Sequence, residues 1–149
     1  MNWIDELKKS LGDKVITDSE KLKEVSSDFG RIITKVPKVL VRPTSTEDVV
    51  KVIQFANQYK IPVSTRGEAH TQTGQSLSEG IVLNLTSMNK VIQVDTNNKL
   101  VTVESGIIWR NLVEQLKSYK LIPPVLTNNL GVTIAGTLSM ATRPEPHVK

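Results

Sequence analysis

The sequence predicts an α/β (α+β) fold, a small mixed β-sheet flanked by helices, and three observations predict it. A strand, a helix and a second strand follow one another between Lys38 and Thr65. Two alternating runs, residues 91–95 and 100–104, face each other across Thr96-Asn97-Asn98-Lys99 as a β-hairpin. With 149 residues, 38% of them apolar, the chain can bury one core, and its length suggests one domain.

Taken in order, residues 1–30 read as a helical preface. Trp3, Ile4, Leu7 and Leu11 share one helical face, Gly12-Asp13 interrupts, and Thr17-Asp18-Ser19-Glu20 offers side-chain oxygens to start a second helix. The body runs from 31 to 141. Lys38-Val39-Leu40-Val41 is a short apolar strand stopped by Arg42-Pro43, and Thr44-Ser45-Thr46 supplies N-caps with Glu47 and Asp48 in the first helical turn. Val49, Val52, Ile53, Ala56 and Tyr59 form the apolar stripe of that helix. Ile61 to Thr65 is the next strand, brought parallel to the first by a right-handed crossover.

Ile81 to Leu85 reads as a buried strand, and the hairpin follows, its asparagines tolerating positive φ in the turn. After Gly106, Ile108, Trp109, Leu112, Val113 and Leu116 fall on one helical face, ended by Ile122-Pro123-Pro124. The small and apolar run from Gly131 to Ala141 suits a backbone packed close to a ligand or another strand. Residues 142–149, polar with two prolines, read as a disordered tail.

Composition narrows the chemistry. There is no cysteine, hence no disulfide, thiolate nucleophile or cysteine-ligated metal, and the two histidines are too few for most metal sites, so no metal is expected. The net charge of +4 comes from lysines and arginines interleaved with acids, and aromatics are only 4% of residues, which argues against nucleic acid as a partner. The amino terminus lacks the apolar run of a signal peptide or membrane span, so a cytoplasmic protein with no membrane partner is expected. No Walker-type lysine loop is present, and no acid completes a triad with His70 and Ser76 or Ser78.

The most informative segment is Arg66-Gly67-Glu68-Ala69-His70-Thr71-Gln72-Thr73-Gly74-Gln75, a histidine hung from a small-residue turn directly after a strand. Glycines 67 and 74 and Ala69 keep side chains out of the way, so backbone N–H groups can face an anion such as a pyrophosphate. With Ser27-Asp28-Phe29-Gly30, the 41–49 segment, Gly80 to Leu85 and Thr133 to Ser139 in this order, the chain resembles the FAD-binding domain of the vanillyl-alcohol oxidase/p-cresol methylhydroxylase superfamily. Its cytokinin dehydrogenase branch is the nearest look. The resemblance covers roughly residues 25–141 and implies the first subdomain of a PCMH-type FAD-binding domain.

The resemblance also implies roles. His70 matches the histidine to which the family tethers FAD, a neutral imidazole nitrogen serving as nucleophile. Thr65, Arg66, Gly67, Glu68, Ala69, Thr71 and Gln75 match residues lining pyrophosphate and flavin, and Thr133 and Ser139 match later FAD contacts. The implied activity is hydride transfer from a substrate C–H to flavin, with a small-molecule substrate met only if the family's further domains are supplied.

Four positions depart from the pattern. Ala69 replaces a glycine before the histidine, Glu68 brings a negative charge to a phosphate turn, and Ile134-Ala135-Gly136 replaces a pair of glycines. Asn128 falls where the family has its acid/base aspartate, and a carboxamide cannot accept a proton at physiological pH. The expectation is therefore an FAD-binding fragment, inactive alone, from a truncated or decayed copy or a cut piece. The alternative is a non-enzymatic remnant or interaction module without flavin.

Overall fold

The computed structural model describes residues 3–140 and the backbone of Glu145–Pro146. The chain packs as two units, residues 1–87 and 88–149, each with its own apolar core, where length had suggested one.

The first unit opens with helix α1, Trp3–Leu11, which turns through a 3-10 segment, Gly12–Lys14, into a two-residue strand β1, Val15–Ile16. Helix α2, Ser19–Glu24, is started by Asp18, whose carboxylate accepts from the Lys21 N–H. Strand β2 is Val39–Val41, and helix α3, Thr46–Tyr59, is capped by the Ser45 hydroxyl. Strands β3, Val63–Arg66, and β4, Ile81–Asn84, complete a four-stranded sheet in the order β1-β2-β4-β3, antiparallel at β1 and parallel elsewhere.

Alternation along the strands assigns the two faces. Val39, Val41, Ile81 and Leu83 pack with Leu7 and Leu11 of α1 and Val52 and Ala56 of α3. Leu40 and Val82 point the other way, against Leu22 and Val25 of the α2 segment. Each such buried aliphatic side chain contributes about 1.5–3 kcal/mol. Residues 3–25 thus cover both sides of the sheet and add β1 to its edge, a strand too short for any period in the sequence to announce.

Three expectations change here. The stripe of α3 is centred on Asp48, Val52 and Ala56 with Val49 and Phe55 beside it, so Ile53 lies off it and is exposed. The third strand starts at Val63, because the Ile61 N–H still bonds the Ala56 carbonyl at the helix end. Most important, β2 and β3 are not neighbours: β4, with Ile81, Val82 and Leu83 fully buried, takes the place between them. The most apolar strand occupies the centre, where both faces are covered.

In the second unit β5, Val91–Asp95, and β6, Leu100–Val103, form the expected hairpin. Its turn is held by Asp95, whose carboxylate accepts from the N–H groups of Asn97 and Asn98, and Lys99 rather than an asparagine takes positive φ. Helix α4, Trp109–Lys117, buries Leu112 and Leu116 with Ile107 and with Ile134 of helix α5, Ile134–Ser139. The small-residue run 131–141 thus contains a helix that its composition alone does not signal. Strand β7, Val125–Leu126, pairs with β8, Glu145–Pro146. Apart from that pair, the expected tail at 142–149 lies outside the described residues.

Two tests follow from the first unit. Burial pushes the Asp48 carboxyl up, but the Lys14 ammonium at 2.6 Å and the Thr44 N–H and hydroxyl outweigh it and bring its pKa down to about 2. Its contribution to stability is complete above the unfolded carboxyl's pKa near 4 and is lost as pH falls toward about 2. Acid-unfolding curves should therefore flatten in that window for Asp48→Asn, with a loss of about 1–3 kcal/mol at neutral pH. A Cβ added at Gly80 would stand 2.3 Å from the Pro62 carbonyl oxygen, a backbone atom that cannot yield. Gly80→Ala should cost about 3 kcal/mol or more in a denaturant titration.

Candidate functional site

Neighbouring parallel strands need a crossover of about a dozen residues or more. Between β3 and β4 the segment 67–80 is that crossover, and it contains no helix. It starts at the carboxyl end of β3, the side of a parallel sheet on which ligands gather. Its return is pinned at the other end of the strand: the Ser78 hydroxyl donates to the Pro62 carbonyl and accepts from the Gly80 N–H.

The loop itself is open. Gly74 has φ +76 and Ala69 φ 55, the left-handed region that favours glycine. Thr71 and Ser76 share a hydroxyl contact of 3.2 Å. Among the described residues, no backbone N–H from Glu68 through Gln75 donates to a protein acceptor. Such N–H groups are open to water or to an anion. His70, Glu68, Thr65 and Gln75 are exposed, and Gly67, Ala69 and Thr71 half-buried.

Arg66 is half-buried at the strand end. Its Nη1 donates to the carbonyls of Val25, at 3.3 Å, and Ser27, at 3.4 Å. Burial draws the guanidinium below its ordinary pKa, and the Glu68 carboxylate acts in the opposite direction. It stays charged, since guanidinium does not lose its proton in proteins. The charge of Glu68 is thus set against a cation two residues away.

A second loop, residues 27–34, packs against the first, and in the sequence it shows only as the Ser27-Asp28-Phe29-Gly30 motif. Asp28 is buried and its Oδ1 accepts from the Ile32 N–H at 3.0 Å, while the Phe29 N–H donates to the Thr71 carbonyl at 3.0 Å. The Phe29 ring stacks on His70 with centroids 5.2 Å apart and planes 23° from parallel. Ile33 covers Gly74, where a Cβ would meet its side chain at 3.1 Å.

The other expected residues belong to the second unit. Thr133 is buried as the N-cap of α5, its hydroxyl accepting from the Gly136 N–H. The Ser139 hydroxyl is exposed and donates to the Gly136 carbonyl at 3.0 Å. Asn128 is exposed beside a turn in which the Thr127 hydroxyl and the Asn129 backbone bond each other. Each unit therefore holds its own subset. Among the described residues no helix is long and apolar enough to cross a membrane, and no cluster of three His, Cys, Asp or Glu could hold a metal.

Comparison with known proteins shows the family and the fold. A family model described as an FAD binding domain matches residues 37–143. Cytokinin dehydrogenase 2 of Arabidopsis thaliana is 33% identical over 137 residues, covering 90% of this chain and 27% of the relative. Among solved structures, alkyldihydroxyacetonephosphate synthase superposes with a TM-score of 0.82 at 22% identity, over 97% of this chain and 30% of that one. p-Cresol methylhydroxylase superposes with a TM-score of 0.65 at 24% identity, over 83% and 25% of the two chains. The chain spans between a quarter and a third of the length of these relatives.

The strain at Ala69 is measurable. An alanine in the left-handed region costs about 1–2 kcal/mol, partly offset by the greater freedom a glycine has when unfolded. Ala69→Gly should raise stability by about 0.5–1 kcal/mol in thermal or denaturant unfolding; an unchanged midpoint would mean that the loop absorbs the methyl without strain.

Proposed function

The chain belongs to the FAD binding domain family, and on that premise we propose that the loop after β3 holds the cofactor. The observation that carries the reading is the run of unbonded N–H donors from Glu68 to Gln75 beside the Arg66 cation. These donors and Gly67, Ala69 and Thr71 receive the pyrophosphate, with Thr65 and Gln75 at the margins of the flavin. His70, exposed on the same loop, is the tether by which the FAD is attached. Thr133 and Ser139 are further FAD contacts proposed on the resemblance alone.

FAD, when bound, accepts a hydride from a substrate C–H and passes the electrons on, as expected of an oxidoreductase. This chain's own part is to bind and orient. Asn128 offers a carboxamide, which orients a donor by hydrogen bonding and takes no proton. Relatives sharing this fold bear names as different as cytokinin dehydrogenase and p-cresol methylhydroxylase, so the substrate is chosen outside the loop. We expect the 149 residues to bind FAD in the cytoplasm without turning over a substrate on their own.

Purified protein incubated with FAD should turn yellow and keep flavin absorbance through desalting. Intact mass after denaturation should rise by one FAD, and His70→Ala should abolish that increment while leaving reversible binding. A colourless protein that takes up no flavin would reject the reading in favour of a flavin-free interaction module.

A further inference from the structure

The Phe29–His70 pair points beyond cofactor binding as such to the way the histidine is held. Histidine on an exposed loop has several rotamers of similar energy, and a tether or ligand contact from such a side chain requires one of them to be selected. On its own loop His70 is flanked by Ala69 and Thr71, neither of which can stack on an imidazole. The ring that meets it comes from a different part of the chain.

We propose that Phe29 is a positioning residue for His70. It covers one face of the imidazole and leaves the opposite face and the nitrogen-bearing edge to the cofactor. Phe29 is 61% exposed, so its ring is not spent on core packing. The ring contact it makes is the stack on His70, an offset aromatic pair of the kind that fixes relative orientation.

The loop that carries the ring is fixed at three points. Asp28 closes its own turn through the N–H groups of Ile32 and Ile33. The Phe29 N–H bonds the Thr71 carbonyl, one residue beyond the histidine. Arg66 ties the approach to the loop at the carbonyls of Val25 and Ser27. Ring and imidazole are therefore referenced to the same strand end, and the stack is a property of two anchored backbones rather than of two free side chains. The role rests on the reading of His70 as a cofactor residue, but the stack is testable without any flavin.

The test uses the full chain with Phe29→Leu and Phe29→Tyr, the His70 ring protons being assigned by their loss in His70→Ala. In the flavin-free protein those resonances should lie upfield, shielded by the Phe29 ring. They should move downfield in the leucine variant and keep their positions in the tyrosine variant, with the amide spectrum of both variants otherwise that of the wild type. FAD affinity should weaken about three- to tenfold with leucine, the range an aromatic pair supplies, and be retained with tyrosine. Unmoved His70 resonances in Phe29→Leu, or equal FAD affinity for the leucine variant and the wild type, would overturn the proposal, as would a tyrosine variant that behaves like leucine. Absence of FAD binding by the wild type defeats the cofactor reading instead, and the resonances alone then decide whether Phe29 orients His70.

Discussion

Parallel pairing of β3 with β4 is the constraint on which the first unit depends. Two adjacent parallel strands cannot be joined by a tight turn, so the chain must travel the length of the sheet outside it. Because Val39, Val41, Ile81 and Leu83 are sealed by α1 and α3 on one face, and Leu40 and Val82 by the α2 segment on the other, the strands have no freedom to slide. The connection 67–80 inherits a fixed start at Arg66 and a fixed end at Gly80. A long loop without secondary structure in a compact fold is commonly functional, and here its length follows from topology while its composition is free to serve a ligand.

That freedom has been used in a way that opposes stability locally. Among the described residues, the loop leaves the N–H groups of Glu68 through Gln75 without a protein acceptor and puts an alanine at φ 55, and it does so next to a half-buried arginine. The stabilisation comes from its ends and from the neighbouring loop: Ser78 to Pro62, Thr71 to Phe29, and Ile33 over Gly74. Arg66 has two tasks in this arrangement. It holds the 25–27 segment by its Nη1, and its positive charge offsets that of the Glu68 carboxylate two residues on.

The second unit follows a different logic. Its polar groups are largely committed to its own structure: the Trp109 indole N–H donates to the Thr137 hydroxyl, Thr137 donates to the Thr133 carbonyl, and Thr133 caps α5. Thr133 therefore has a structural task whatever else it contacts. Gly136 lies tight against that cap, since an added Cβ would stand 2.7 Å from the Thr133 hydroxyl, which explains a glycine inside so short a helix. Asn128 by contrast stands exposed in a turn built by its neighbours.

From residue pattern alone came a strand at 38–41, a strand at 81–85, a helix started at 44–46 and striped to Tyr59, the hairpin and the histidine loop, because each has a local cause: apolar runs, hydroxyl caps before two acids, alternation, glycines and alanine around His70; the structure sets the bounds at 39–41, 81–84 and 46–59 and chooses Ser45 as the cap. Local pattern says nothing of strand order. Only tertiary packing put β4 between β2 and β3, since the choice of central strand depends on which apolar run is covered on both faces, a comparison among segments far apart in the chain. The same holds for β1, held in place by its pairing with β2, and for α5, whose cap geometry and contact with Ile107 form together. Phe29 belongs to this class as well: its chemistry is plain in the sequence, but its partner 41 residues away is set by two loop anchors that no periodicity encodes.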